Sequence, residues 1–212
     1  MRKLSSRFLT SLFLIIIIFL SLKSSKILFL LIILISYFSL IESYFIFKKI
    51  FKRNNLYKFI SIIISLIYIS TFSLFVWTYL IPYKELNTIS LILLLIICAS
   101  SDIGGFIVGK LIGGKKITKI SPNKTYSGVI GSFLFSVIFG YSFYYYFGNL
   151  LKFEMNIILL IILISTVSQL GDLTISFVKR KAKIKDTGTI LPGHGGILDR
   201  IDGILFALPV GF

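Results

Sequence analysis

"NTISLILLLIICASSDIGGFIVG", residues 87–109, decides the fold class. It holds a single acid, Asp102, and no lysine or arginine, and its apolar residues come as a run rather than at a helical or strand period. A run of about 18 or more such residues reads as a membrane-spanning helix, because ~20 residues at about 1.5 Å rise cross a ~30 Å hydrocarbon core. A closed barrel would need short alternating strands instead.

Working outward, similar runs lie at about 8–22, 27–47, 57–80, 126–148 and 156–178, with a short segment from about 202 to the end. The reading is therefore all-α: a polytopic helical membrane protein with six full transmembrane helices plus a short C-terminal seventh segment. Composition agrees. The chain is 56% hydrophobic over 212 residues with a mean hydropathy of +0.96, whereas soluble domains are about 45–50% apolar. Residues 1–86 form an N-terminal membrane region with three transmembrane helices, and 87–212 a C-terminal region that carries the polar loops. The opening "MRKLSSRFLTSLFLIIIIFL" (1–20) has the basic start of a signal peptide. No small-x-small cleavage site follows it, so an uncleaved first span is expected.

The net charge of +15 suits nucleic acid or an anionic surface in a soluble protein. Here its distribution favours a topological cause, and no nucleic-acid partner is expected. Lysines and arginines before span one, between two and three, between four and five, and after six number 19, against 4 on the alternate side (Lys23, Lys26, Lys84, Lys152). That asymmetry puts the N-terminus and the richer loops in the cytoplasm. The lone cysteine, Cys98, lies inside an apolar run, so no intrachain disulfide and no cysteine-ligated zinc site can form.

Acids at membrane depth cost about 2.5–3.5 kcal/mol on insertion scales, so each needs a reason. Glu42 lies about one and a half turns before Lys48, and a pairing that merely holds helices together is its simplest explanation. Asp102 and Asp172 are set among small polar residues, "ASSDIGG" and "SQLGD". Such residues admit close helix contact or a water-filled pocket. Ser176 follows Asp172 by four positions and shares its helix face, so their two oxygens can serve one cation.

Two loops carry the remaining chemistry. "GKLIGGKKITKISPNKTYSG" (109–128) combines lysines with a Gly-Gly turn and Ser121-Pro122. Lysines and flexible amides suit phosphate oxygens, although the spacing is no P-loop. The second loop, "SFVKRKAKIKDTGTILPGHGGILDRID" (176–202), holds the only histidine, His194, flanked by glycines. Asp199 and Asp202 share a face if helical, and paired carboxylates beside basic residues suit a divalent cation bridging polyphosphate oxygens.

The second loop resembles the signature of the phosphatidate cytidylyltransferase family, the CDP-diacylglycerol synthases. It matches at Ser176, Lys179, Arg180, Lys185, Asp186, Gly188, Pro192, His194, Gly195, Gly196, Asp199, Arg200 and Asp202. The earlier loop is similar at Asp102, Gly109, Lys110, Gly114, Lys115, Ser121, Pro122, Lys124 and Thr125. The resemblance covers roughly residues 90–212. The chain departs from the family in having Ser127 where an acid is common and Gly203 where serine is usual. It also stops at Phe212, which makes the last helix either half-depth or truncated.

What the resemblance implies is transfer of CMP from CTP to phosphatidic acid at the bilayer, giving CDP-diacylglycerol and pyrophosphate. Mg²⁺ would be held by Asp199 and Asp172 with Ser176, Asp202 lying nearby, and a monovalent cation is a further candidate. Lys179, Arg180 and Lys124 would clamp phosphates, and His194, Gly195 and Gly196 would approach the triphosphate. Asp102, Ser121 and Arg200 complete the candidate site, and the family suggests a homodimer. The alternative is an ion-coupled transporter using Asp102 and Asp172.

Overall fold

A computed structural model describes residues 10, 12–14, 16, 17, 19–21, 24–80, 84–118, 121, 124–151, 155–191, 193 and 195–211. The named elements are all helical: α1 (Ser25–Ile50), α2 (Asn55–Leu80), α3 (Lys84–Ile112), α4 (Tyr126–Phe147), α5 (Ile157–Lys181) and α6 (Leu198–Gly211). A 3-10 turn, Gly148–Leu150, extends α4. Among the described residues, five helices are long and apolar enough to cross a membrane: Lys26–Ile50, Asn55–Thr78, Thr88–Ile112, Tyr126–Leu150 and Ile157–Lys181. These agree with the second to sixth expected spans. The expected first span falls partly outside the described residues, and its described part lies in a shorter apolar helix, Leu12–Ser21. Large apolar side chains such as Phe106, Leu111, Leu134 and Tyr145 are exposed, as lipid-facing helices require and soluble surfaces rarely show.

The chain forms two compact units, Met1–Pro82 with Val178–Ile201, and Tyr83–Phe177 with Asp202–Phe212. In the first unit α1 and α2 make a helical hairpin. Phe29 packs on Trp77 with ring centroids 4.4 Å apart, and the Ser36 and Ser73 hydroxyls lie 2.5 Å apart. The face of α1 that carries Ser39, Glu42, Ser43 and Ile46 is buried.

The second unit is built on a glycine seam between α3 and α4. A Cβ on Gly104 would collide with the Gly131 carbonyl and with Phe135, one on Gly131 would collide with Val108, and one on Gly128 would lie 2.9 Å from the Gly105 carbonyl. No side chain separates the two backbones there, the small-residue packing that serves helices in lipid. The small residues around Asp102 thus make a helix contact. Ser101 and Ser165, both fully buried, join α3 to α5 through hydroxyls 3.0 Å apart. The last turns of α6 rest on α5: Gly171 leaves room for Phe206, and Gly203 for the Ser168 hydroxyl.

Candidate active site

In the second unit the chemistry gathers on Asp172. Gly113 and Gly114 take φ of 67° and 108°, a left-handed region that glycine enters without strain, and so end α3 in a turn. The loop folds back on itself as an antiparallel bridge, with the Ile117 N–H donating to the Lys124 carbonyl at 3.0 Å and the Tyr126 N–H to the Lys115 carbonyl at 3.2 Å. Thr125 then caps α4, its hydroxyl accepting the Gly128 N–H at 3.1 Å. Ser121 shapes the preceding turn by accepting the Lys124 N–H at 3.1 Å. Held this way, Lys124 places its ammonium 2.5 Å from Asp172 Oδ2. The Ser176 hydroxyl donates to Asp172 Oδ1 at 3.4 Å, a long bond.

The donor set at Asp172 suits a hard cation. A carboxylate and a hydroxyl on one helix face offer oxygens only, and Lys124 Nζ already stands where a positive ion would. Among the described residues no three His, Cys, Asp or Glu side chains cluster as a metal site. An ion here would complete its shell with water and phosphate, as Mg²⁺ usually does. Asp102 projects from α3 as an exposed side chain, next to the buried Ser101.

In the first unit the chemistry gathers on Asp199, and it is far more densely bonded. Asp199 Oδ1 accepts from Lys179 Nζ at 2.6 Å. Asp199 Oδ2 accepts from the Thr187 N–H at 2.7 Å, the Gly196 N–H at 3.0 Å and sits 3.0 Å from the Thr187 hydroxyl. Burial pushes the Asp199 carboxyl up, but Lys179 and the two backbone donors outweigh it and hold the group below the ordinary carboxylate range. The Gly196 N–H, expected to face a triphosphate, is committed to this carboxylate, so Gly196 shapes the loop. Gly195 takes φ of 87° to turn the chain, and its carbonyl accepts the Leu191 N–H at 3.0 Å.

Glu42 overturns its expected pairing with Lys48. It is 2% exposed and faces the same loop. Its Oε2 accepts from the Thr187 hydroxyl at 2.6 Å and the Leu198 N–H at 2.9 Å, and its Oε1 from the Ile197 N–H at 2.9 Å. The last two donors are unpaired amides at the start of a helix, where a carboxylate is favoured by the helix dipole. This cap explains why α6 begins at Leu198 and not near 202. The sequence signal was present, an acid deep in an apolar helix, but its partners lie up to 156 positions away.

The remaining candidates are more loosely placed. The Arg180 guanidinium donates to the Ile184 carbonyl at 3.4 Å, and Arg200 is exposed on α6. Asp202 accepts the Gly203 N–H at 2.9 Å. His194 and Pro192 lie outside the described residues. Ser127 ties the Gly113 carbonyl to α4 through its hydroxyl. Above Thr187 and Gly188 opens a cleft of about 370 Å³ whose wall includes Phe45, Lys49 and Lys185.

Comparison with known proteins identifies relatives of the chain. A phosphatidate cytidylyltransferase of Helicobacter pylori strain J99 is 42% identical over 125 residues, which is 58% of this chain and 46% of the relative. Proteins of the same name from Rickettsia bellii and Staphylococcus aureus strain COL are 40% identical over 139 residues and 43% over 114. These alignments take in 61% and 52% of this chain, and 58% and 42% of the relatives. The chain thus spans about half the length of the curated relatives it matches. The description of the cytidylyltransferase family, by contrast, matches from residue 2 to residue 212. A helical membrane protein with two lysine-paired aspartates, one in α5 and one in the first turn of α6, this chain belongs to the cytidylyltransferase family.

Proposed function

We propose that this chain transfers CMP from CTP to phosphatidate, giving CDP-diacylglycerol and pyrophosphate. The observation that carries the reading is the pairing of each of two aspartates with a lysine, Lys124–Asp172 at 2.5 Å and Lys179–Asp199 at 2.6 Å. An ammonium on a carboxylate is a cation that can be handed to a phosphate oxygen. The names of the relatives agree with that chemistry. No observation favours an ion-coupled transporter, since Asp172 is held by a loop lysine.

In the proposed reaction an oxygen of the phosphatidate phosphate forms a bond to the α-phosphorus of CTP. The bond from that phosphorus to the bridging oxygen breaks, and pyrophosphate leaves with its electron pair. The lipid phosphate is already ionised, so no general base is needed. The barrier is the approach of two polyanions, and positioning with charge neutralisation should supply most of the catalysis. Lys124, Lys179 and Arg180 bind phosphate oxygens in this reading, and Asp199 orients Lys179. Mg²⁺, held by Asp172 and Ser176, would offset charge on the α-phosphate and the leaving group. The cytoplasm supplies CTP and the bilayer supplies phosphatidate, with the lysine-rich loops on the cytoplasmic face of the inner membrane.

The test is purified protein in mixed micelles with CTP, phosphatidate and Mg²⁺. CDP-diacylglycerol should form, and Asp199→Asn should lower the rate on the order of 10³-fold, the scale of losing a preorganised charge network. Absence of product in several lipid mixtures, or full activity in Asp199→Asn, would overturn the reading.

A further inference from the structure

The structure assigns Glu42 of α1 as the residue that positions the loop between α5 and α6, acting through Thr187 and the first amides of α6. Nothing in the signature loops points to it, and α1 carries none of the motifs in those loops.

Three features carry the assignment. The first is saturation: Glu42 takes three donors, and all three belong to the loop or its helix start. Among the described residues no lysine or arginine pairs with it, so its charge is met by loop donors alone. The second is fit. A Cβ on Gly196 would overlap Thr187 Oγ1 and both Glu42 oxygens, and one on Gly188 would lie 2.7 Å from Glu42 Oε1. The loop closes on the carboxylate at two glycines, leaving no room for a side chain between them. The third is continuity. Thr187 touches Glu42 with its hydroxyl and Asp199 with its N–H, and Asp199 holds Lys179. Displacing Glu42 therefore displaces the lysine–aspartate pair and the Thr187–Gly188 wall of the 370 Å³ cleft.

The charge form matters, not only the shape. Glutamine is nearly isosteric but carries one oxygen. If that oxygen faces Leu198, the amide nitrogen meets the Ile197 N–H; turned over, it meets the Leu198 N–H. Either way two donors face each other in a buried place, which is costly. Glu42 touches no reacting atom in this reading, so it is a positioning residue.

The assignment rests in part on the proposed CMP transfer, and the test separates the two. Full-length Glu42→Gln and wild type are compared in nanodiscs, first by amide hydrogen exchange without substrate. Exchange at 187–198 should rise about tenfold or more in the variant, while the glycine seam of α3 and α4 stays as in wild type. Unchanged exchange at 187–198 would overturn the assignment whether or not any activity is found. In the assay, KM for CTP should rise about tenfold in Glu42→Gln as Lys179 shifts. A variant that had merely lost folded protein would lower kcat and leave KM alone, and that result counts against positioning. If Glu42→Gln does not fold, Thr187→Val removes one of the three donors and should raise both exchange and KM by a smaller factor. Wild-type values in both would sink the idea.

Discussion

The two aspartates at the centre of the chain's chemistry are built in opposite ways. Asp199 is 5% exposed in its side chain and has every oxygen engaged by an ammonium, two backbone amides and a nearby hydroxyl. Asp172 is 31% exposed and has one lysine and one long bond to a serine. A carboxylate satisfied by backbone donors organises the chain around it, because no single ligand can replace all those bonds at once. One held by a partly exposed lysine can change partners at little cost. The difference suggests a division of labour, with Asp199 as framework and Asp172 as the group that exchanges its cation.

The largest effect that would sharpen this contrast is expected from Gly196→Ala. Its added methyl enters the space of Thr187 and Glu42, so loop order and CMP transfer should both fall. Overpacking of that kind typically costs about 1–3 kcal/mol of stability. Thermal unfolding in detergent together with the CTP assay measures it, and a variant with unchanged midpoint and rate would break the framework side of the comparison.

Next in size is Asp172→Asn. The half-activating Mg²⁺ concentration should rise about ten- to a hundredfold, as for the loss of a metal-supporting group, with little change in unfolding midpoint. A large stability loss with unaltered Mg²⁺ dependence would reverse the assigned roles. Lys124→Met should be milder, raising KM for CTP several-fold and changing stability by no more than about 1 kcal/mol, since the pair it breaks is partly exposed.

The smallest effect concerns acid. The Asp199 carboxyl is depressed in the folded protein, so its contribution is complete above the unfolded carboxylate value of about 3.9 and is lost as pH falls through the lower folded value. Amide exchange at Thr187 and Gly196 should therefore stay slow at pH 5 and quicken only below about pH 4. Quickening already between pH 7 and 5 would place another group in control.

Most of the helices were legible because apolar runs leave few alternatives in lipid. The second to sixth spans follow from hydropathy alone, and the lysine-rich loops from their charge. The wiring inside the site was not legible. Lys179 and Asp199 stand in a recognisable pattern, but nothing local says that Thr187 joins them, or that Glu42 does from a helix far in sequence from the signature loops. Bonds across 145 and 156 positions are set by tertiary packing, which leaves no periodic trace. The one readable hint was energetic: a buried acid in an apolar helix must find donors somewhere. The α6 boundary was missed for the same reason, because its cap comes from α1.

The glycine seam of α3 and α4 bears on binding entropy. By fixing both ends of the Gly113–Thr125 loop, it meets the cost of closing that loop when the protein folds, not when a nucleotide arrives. Lys124 is then offered on a backbone with little freedom left to lose. Under the proposed CMP transfer, more of the attraction between ammonium and phosphate would then survive as affinity than a floppy tether would retain.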